Sequence, residues 1–475
     1  MTPEMTPGMK PGIELAGKRV LVVGLARTGV ATALFCAARG ARVTATEERP
    51  ELQMAETAAK LRAAGVTLEL GGHGAKTFVE QDLIVPSPGV PPSMTALAGA
   101  RAAGIPVWSE IELAWRFLRG RLVCITGSNG KTTTTSLIGH ILETAGLPVQ
   151  IAGNIGTPLI SRVDVSSDSG YTVVEASSFQ LESIAAFRPD VAVLLNITPD
   201  HLDRHGSLEA YAGAKARIFE NQGEEDAAIV NADDEAASQY APSRPRLFWF
   251  SRKKRVLSGC FLRGDENDEI VFRSDGMETV LLHRSDIGLR GEHNVENVLA
   301  AAAAARLVGV APAAIAAAVR SFAGVEHRIE YVDTISGVEY FNDSKATNVD
   351  ATVKALDAFP GNVLLILGGK DKGSDYAILR DALRRHARMV LLIGSAAEKI
   401  EAQLGGVVPA ERAGTMARAV EIAAQRAQLG DTVLLAPACA SFDQFESYEH
   451  RGRVFKQLVR ELAQKHAARE PARKV

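Results

Sequence analysis

One pattern recurs along the chain: a short apolar, β-branched run, a glycine loop, then an alanine- and leucine-rich stretch with helical spacing. It first appears at residues 18–24 (KRVLVVG), followed by the loop LARTG and a helix through Ala38. A strand at 41–46 and a strand-and-turn at 82–93 (DLIVPSPGVPPS) follow. The pattern restarts near Glu110, with strands at 122–126, 171–175 and 191–196 and the loop GSNGK after the first. It restarts again near Val325, with strands at 338–341, 362–367, 389–393 and 432–436. Near-continuous apolar strands alternating with helices predict parallel sheets joined by crossover helices. Residues 246–290 differ: DEND and SDG breaks separate alternating runs, which predicts antiparallel β additions. The alanine-rich stretch 295–324 predicts helices. The expected organisation is α/β with three domains, residues 1–110, 111–324 and 325–475.

Composition narrows the function classes. The chain has 475 residues, of which 46% are hydrophobic, 23% charged and 5% aromatic, with a net charge of −3. There is no basic stripe with interleaved aromatics, which excludes nucleic acid as the main partner. Arg252, Lys253, Lys254 and Arg255 read as a solvated turn. The cysteines (Cys36, Cys124, Cys260, Cys439) lack metal-ligand spacing and read as reduced thiols of a cytoplasmic protein. The first twenty residues have no apolar signal core and read as a flexible lead-in. Glu296, Arg306 and Arg320 interrupt the most apolar stretch, so no membrane insertion is expected. A monomer is the default assembly.

The sharpest local chemistry is Gly127-Ser128-Asn129-Gly130-Lys131-Thr132-Thr133, between the apolar run RLVCI and a helical pattern. Glycines let several backbone N–H groups face one anion, and the helix N-terminus adds positive potential. Lys131 can reach the β- and γ-phosphates of ATP, and the Thr132 hydroxyl can ligate magnesium. The full pattern G-x-x-x-x-G-K-[ST] wants glycine at 125; Ile125 stands there, leaving the shorter G-x-x-G-K-T core. Glu175 and His201 follow later strands, where ligands gather in open α/β sheets. They can complete a magnesium shell, with Asp200 and Asp203 as alternative ligands or helix caps and His201 as an alternative hydrogen-bonding residue. By composition, Lys215 is simply a lysine on an amphipathic helix.

The loop Gly24-Leu25-Ala26-Arg27-Thr28-Gly29 is a near miss to G-x-G-x-x-G, with Ala26 in place of the middle glycine. Glu47 lies where a ribose-binding acid would sit. Alone, this loop admits a nicotinamide-dependent oxidoreductase, a reading that leaves NDSKATN unexplained.

The motifs TGSNGKTT, EASSFQLE, NITPDHLDRH, GEHNVEN, the pair HR at 327–328, NDSKATN and PACASFDQF together resemble the Mur ligase family, in that family's order, from residue 126 to residue 445. With the amino-terminal segment the resemblance covers nearly the whole chain. It implies a Rossmann-like amino-terminal domain that binds a UDP moiety, a central P-loop ATPase-like domain and a Rossmann-like carboxy-terminal domain for an amino acid. NDSKATN, LGGKDKG and PACASFDQFESYEHRG look like the members that add D-glutamate to UDP-N-acetylmuramoyl-L-alanine. That resemblance implies a ligase of peptidoglycan synthesis that uses ATP and magnesium through an acyl phosphate and a tetrahedral intermediate. It implies Thr132, Glu175, His201 and Lys215 at the magnesium site, Lys215 as a carbamate formed with carbon dioxide. It implies Asn294 and Asn297 at the adenine, and Arg328 and Asp343 near the ribose and phosphates. Arg27, Thr28, Gly89, Asn154 and His201 would meet the UDP substrate. Lys345, Thr347, Lys372, Ser441 and Tyr448 would hold D-glutamate, with Tyr448 where the family often has Phe. Another amino-acid-adding ligase of this fold, a folate-extending enzyme included, is the alternative; a non-enzymatic nucleotide-binding protein would lack the charge partners present here.

Overall fold

The computed structural model describes residue 10, residues 12–264 and residues 268–469. Half of the expected twenty-residue lead-in (1–9 and 11), and the DEN of the DEND turn, lie outside the described residues. The chain divides into two compact units, Met1–Arg284 with Leu299–Val319 and Ser285–Val298 with Arg320–Val475.

The first unit opens with β1 (Arg19–Val23), β2 (Arg42–Glu47), β3 (Thr67–Leu70) and β4 (Leu83–Pro86). They lie in the order β3-β2-β1-β4 and pair in parallel. Every β1 side chain after Arg19 is buried, as expected of a strand covered on both faces. The loop after β1 turns at Gly24 (φ +84) and enters the helix Arg27–Ala38. Gly29 lies over that turn, where a Cβ would stand 1.9 Å from the Gly24 carbonyl oxygen. Gly29→Ala is therefore expected to cost about 1–3 kcal/mol by overpacking; an unchanged melting temperature would contradict this packing.

The same unit carries a second sheet: β5 (Arg121–Thr126), β6 (Val149–Gly153), β7 (Tyr171–Glu175), β8 (Val191–Leu194), β9 (Ala227–Asn231), β10 (Arg246–Ser251), β11 (Gly259–Arg263), β12 (Glu269–Ser274) and β13 (Met277–His283). Its order is β13-β12-β11-β10-β9-β8-β5-β7-β6. The central strand β5 lies between β7 and β8, both parallel to it. Their carboxyl ends therefore bring residues 127–130, Glu175 and residues 195–201 to one edge, where open sheets bind ligands. The antiparallel addition at 246–290 needs correcting. The strands β11, β12 and β13 are antiparallel, but β10 is parallel to both β9 and β11. Ser251 Oγ and the Arg252 and Lys253 N–H groups donate to the Asp233 carboxylate. This turn carries the chain back beside Trp249, where Gly259 admits the approach: a Cβ there would meet the Trp249 carbonyl oxygen at 1.8 Å.

The second unit holds β14 (Glu330–Ile335), β15 (Val338–Asn342), β16 (Val363–Gly368), β17 (Ala387–Ile393), β18 (Ala410–Gly414) and β19 (Thr432–Leu435). The order is β14-β15-β19-β16-β17-β18, parallel except for β14. The carboxyl ends of β15, β16 and β19 lead into NDSKATN, LGGKDKG and PACAS. An isolated antiparallel bridge between Lys370 and Ala440 ties the last two loops.

Candidate functional site

The phosphate loop leaves β5 through Gly127 (φ +151), and Gly130 (φ +85) caps the helix Lys131–Thr144. Its curve is held from behind. Asn196 Oδ1 accepts the Asn129 N–H at 2.8 Å, and Asn196 Nδ2 donates to the Asn129 carbonyl at 3.0 Å. Ser128 Oγ donates to the Thr198 carbonyl at 2.9 Å and accepts from Tyr211 OH at 3.1 Å. Sequence reasoning missed Asn196, Thr198 and Tyr211 as supports; the polar NIT directly after a buried strand was the available signal.

Lys131 Nζ donates to the carbonyls of Gly127 and Ser128, each at 2.8 Å. Lys215 Nζ donates to the same Gly127 carbonyl at 2.8 Å. Composition alone marks Lys215 only as a lysine on an amphipathic helix; the structure buries it, 2% exposed, on the helix Leu208–Ala216. Burial pushes its pKa well below the ordinary lysine value, and the positive charge of Lys131 pushes the same way.

Opposite the loop, Glu175 closes β7. Its Oε2 accepts from Thr132 Oγ1 at 2.7 Å and its Oε1 from Asn154 Nδ2 at 2.9 Å. A hydroxyl and a carboxylate already side by side are hard oxygen donors that fit magnesium. His201 has a left-handed backbone (φ 53), its Nε2 lies 3.7 Å from Asp200 Oδ2, and its ring meets Phe179 at 4.9 Å. Nearby, Ser178 Oγ lies 3.0 Å from His205 Nε2, and His205 Nδ1 lies 3.3 Å from Glu182 Oε1. The order of groups is that of a nucleophilic triad, but Ser178 is buried and Glu182 is also held by Arg204, so the line is a brace. Arg204 extends it, donating to Glu182 Oε2 and to the Pro88 carbonyl, each at 2.7 Å. That bond fixes the loop carrying Gly89.

In the amino-terminal sheet, Glu47 Oε2 accepts the Leu25 N–H at 2.7 Å. Burial alone would raise the Glu47 pKa; hydrogen bonds from Arg49 and Leu25 overcome it and hold the carboxyl at about 2. Gly24, Glu47, Glu48, His73 and Gly89 line a cavity of about 490 Å³. Arg27 lines a different cavity of about 740 Å³, with Lys60 and Gly156.

In the second unit, the Asn294 side chain donates to the Arg290 carbonyl at 2.7 Å and accepts from Asn297 Nδ2 at 2.9 Å. Asp343 is buried beside Arg328; burial raises its pKa to about 7 against the pull of the guanidinium. Lys345 Nζ lies 3.8 Å from the centre of the Tyr448 ring, a cation–π contact. Thr347 donates its N–H to the Lys345 carbonyl at 2.8 Å. Lys372 is exposed and Ser441 buried. Asp371, next to Lys372, accepts from Lys399 Nζ at 2.6 Å and from Tyr376 OH at 2.8 Å, which anchors that loop. Sequence reasoning also missed Arg451. Fully buried, it donates to Ser344 Oγ at 3.0 Å, to the Ser344 carbonyl at 2.8 Å and to the Cys439 carbonyl at 3.1 Å, clasping two of the loops together.

The same stretches match known families. The Mur ligase MurD-like N-terminal domain matches residues 18–109, the Mur ligase middle domain 125–305, and the Mur ligase glutamate ligase domain 327–439. A UDP-N-acetylmuramoylalanine--D-glutamate ligase of Koribacter versatilis (strain Ellin345) is 54% identical over 453 residues, covering 95% of this chain and 99% of that protein. The chain belongs to the Mur ligase family. A protein of the same name from Acidobacterium capsulatum is 55% identical over 459 residues, covering 96% of this chain and 98% of that protein. Two solved structures of lower identity show a similar fold. A pseudomurein peptide ligase type C from Methanothermus fervidus superposes with a TM-score of 0.59 at 18% identity, covering 94% of this chain and 100% of that one. A UDP-N-acetylmuramate-alanine ligase from Thermotoga maritima gives 0.58 at 20%, covering 94% and 99%. As a Mur ligase the chain is an ATP-dependent, amide-forming enzyme with the α/β architecture expected from its strand pattern. Among the described residues no helix is long and apolar enough to cross a membrane.

Proposed function

We propose that this Mur ligase joins D-glutamate to UDP-N-acetylmuramoyl-L-alanine in peptidoglycan precursor synthesis. The observation that carries the reading is the match over 95% of the chain, at 54% identity, to a protein named for that reaction. The phosphate loop supports it, with Lys131 and the Thr132–Glu175 pair on one sheet edge.

A carboxylate is a poor electrophile. ATP phosphorylates the muramoyl-alanine carboxylate, the D-glutamate amine attacks the acyl phosphate, and a tetrahedral intermediate expels phosphate. The protein's task is to neutralise the phosphoryl charge and align two anionic substrates. The backbone N–H groups of residues 127–130 cradle phosphate oxygens, and Lys131 places its ammonium over them. Thr132, Glu175, His201 and, as its carbamate, Lys215 would hold magnesium, which when bound supplies further charge neutralisation to the phosphates. Asn294 and Asn297 meet adenine, with Arg328 and Asp343 at the ribose and phosphates. Arg27, Thr28, Gly89, Asn154 and His201 receive the UDP substrate. Lys345, Thr347, Lys372, Ser441 and Tyr448 receive D-glutamate; two ammonium groups and the aliphatic hydroxyls of Thr347 and Ser441 suit a dicarboxylate.

The low pKa direction of Lys215 supports carbamylation. Only a neutral amine attacks carbon dioxide, and the product R–NH–COO⁻ forms with loss of one proton. An anion at that position turns the repulsion from Lys131 into attraction. Residues 1–110, 111–324 and 325–475 are the corresponding UDP-substrate, ATP and amino-acid domains. The buried, unbridged cysteines fit a reducing cytoplasm, and a monomer is the expected assembly.

The test is ATP-dependent phosphate release with UDP-N-acetylmuramoyl-L-alanine and a panel of amino acids. Release is expected with D-glutamate. Release with L-glutamate and folate, and none with D-glutamate, would overturn the assignment.

A further inference from the structure

A compact charged network sits beside the turn at residues 326–330. Ligand atoms of Glu326, His327 and Glu330 all lie within 4.8 Å of one another, as in a metal site. A side chain already supplies the positive charge there: Lys456 Nζ donates to Glu326 Oε1 at 2.6 Å and to Glu330 Oε1 at 2.8 Å. The network therefore has another use.

The turn is strained. His327 (φ 66) and Ile329 (φ 44) both have left-handed backbones, which a β-branched isoleucine adopts only under constraint. Between them stands Arg328. Glu330 supplies the constraint, its Oε2 accepting the His327 N–H at 2.9 Å and Asn342 Nδ2 at 3.0 Å. Asn342 Nδ2 also lies 2.8 Å from His327 Nδ1, and the next residue is Asp343. The His327 carbonyl accepts the Lys345 N–H at 3.2 Å. The helix Tyr448–Arg469 closes the arrangement. Gly452 lets it approach, since a Cβ there would stand 2.3 Å from His327 Nδ1. One helical turn later, on the same face, is Lys456.

We propose that Lys456 and Glu330 are positioning residues that hold this turn in its strained form and thereby fix Arg328 against Asp343. Removing the ammonium leaves two carboxylates facing each other, and Glu330 swings away from His327 and Asn342. The inference rests on the nucleotide role given above to Arg328 and Asp343.

The experiment compares Lys456→Met, Lys456→Arg and Glu330→Gln with the parent enzyme. Affinity for a non-hydrolysable ATP analogue is read by calorimetry, alongside KM for each substrate and kcat. Lys456→Met is expected to weaken analogue binding and raise KM for ATP by about tenfold, leaving KM for the UDP substrate within about twofold. Lys456→Arg, which keeps the charge, is expected to restore most of the loss. A lowered melting temperature with unchanged analogue affinity means a merely structural role and overturns the proposal, as does an Arg variant no better than the Met variant. If Lys456→Met does not fold, Glu330→Gln decides by the same affinity criterion. Analogue binding is read without amide synthesis. A parent enzyme that binds the analogue but makes no amide therefore defeats the proposed reaction and not this inference.

Discussion

Replacing Lys131 by alanine is expected to lower turnover by ~10²-fold or more, about 2.7 kcal/mol in the barrier. The ammonium lies on the carbonyls of Gly127 and Ser128, directly over the loop proposed above to cradle phosphate. In the proposed reaction the transferring phosphoryl group gathers charge there, so the loss falls on kcat rather than on substrate affinity alone. The loop itself should survive, because Asn196, Thr198 and Tyr211 hold it from behind. Steady-state phosphate release checks this, and a loss below about threefold would contradict the placement of Lys131 at the reacting phosphate.

Lys215→Ala is expected to be as damaging, for a different reason. The side chain is buried against Gly127 with Lys131 nearby, and both surroundings disfavour a second ammonium. If the working group is the carbamate anion, alanine removes a carboxylate-bearing side chain and leaves space where it stood. Formate, acetate or propionate should enter that space and restore part of the activity. The rescue should saturate with acid concentration and be absent from Lys131→Ala. Failure of every short acid to rescue, with the variant folded by thermal melting, argues against carbamylation.

Many long hydrophobic runs were legible as strands in the sequence, although the fully buried Ala227–Asn231 and the edge strand Val149–Gly153 went unread. VLVV, LVCIT and VLLIL are buried on both faces, and each appears as expected. Thr67–Leu70 and Ala410–Gly414 went unread because they are edge strands, only partly buried, with no clear apolar alternation. Strand direction failed at 246–251, since periodicity reports which residues face a core and not which way a neighbour runs. Within the candidate site, residues 127–133 lie in a glycine-rich loop opening a helix and are visible in one dimension. The burial of Lys215 is not, because the helix that carries it has no marked apolar face. Arg451, Arg204 and Glu330 escaped because one partner of each lies far away in sequence: Ser344 is 107 positions from Arg451, the Pro88 carbonyl 116 from Arg204 and Lys456 126 from Glu330.

The Arg451 clasp has a bearing on how acceptor specificity can drift within such a scaffold. Two of its acceptors are the carbonyl oxygens of Ser344 and Cys439, which every amino acid provides. Side chains around the acceptor, other than Ser344, whose hydroxyl is the third acceptor, can therefore be exchanged by point mutation without loosening the grip. An inserted or deleted residue would shift the carbonyls out of reach, so length, and not identity, is what the guanidinium polices in those segments.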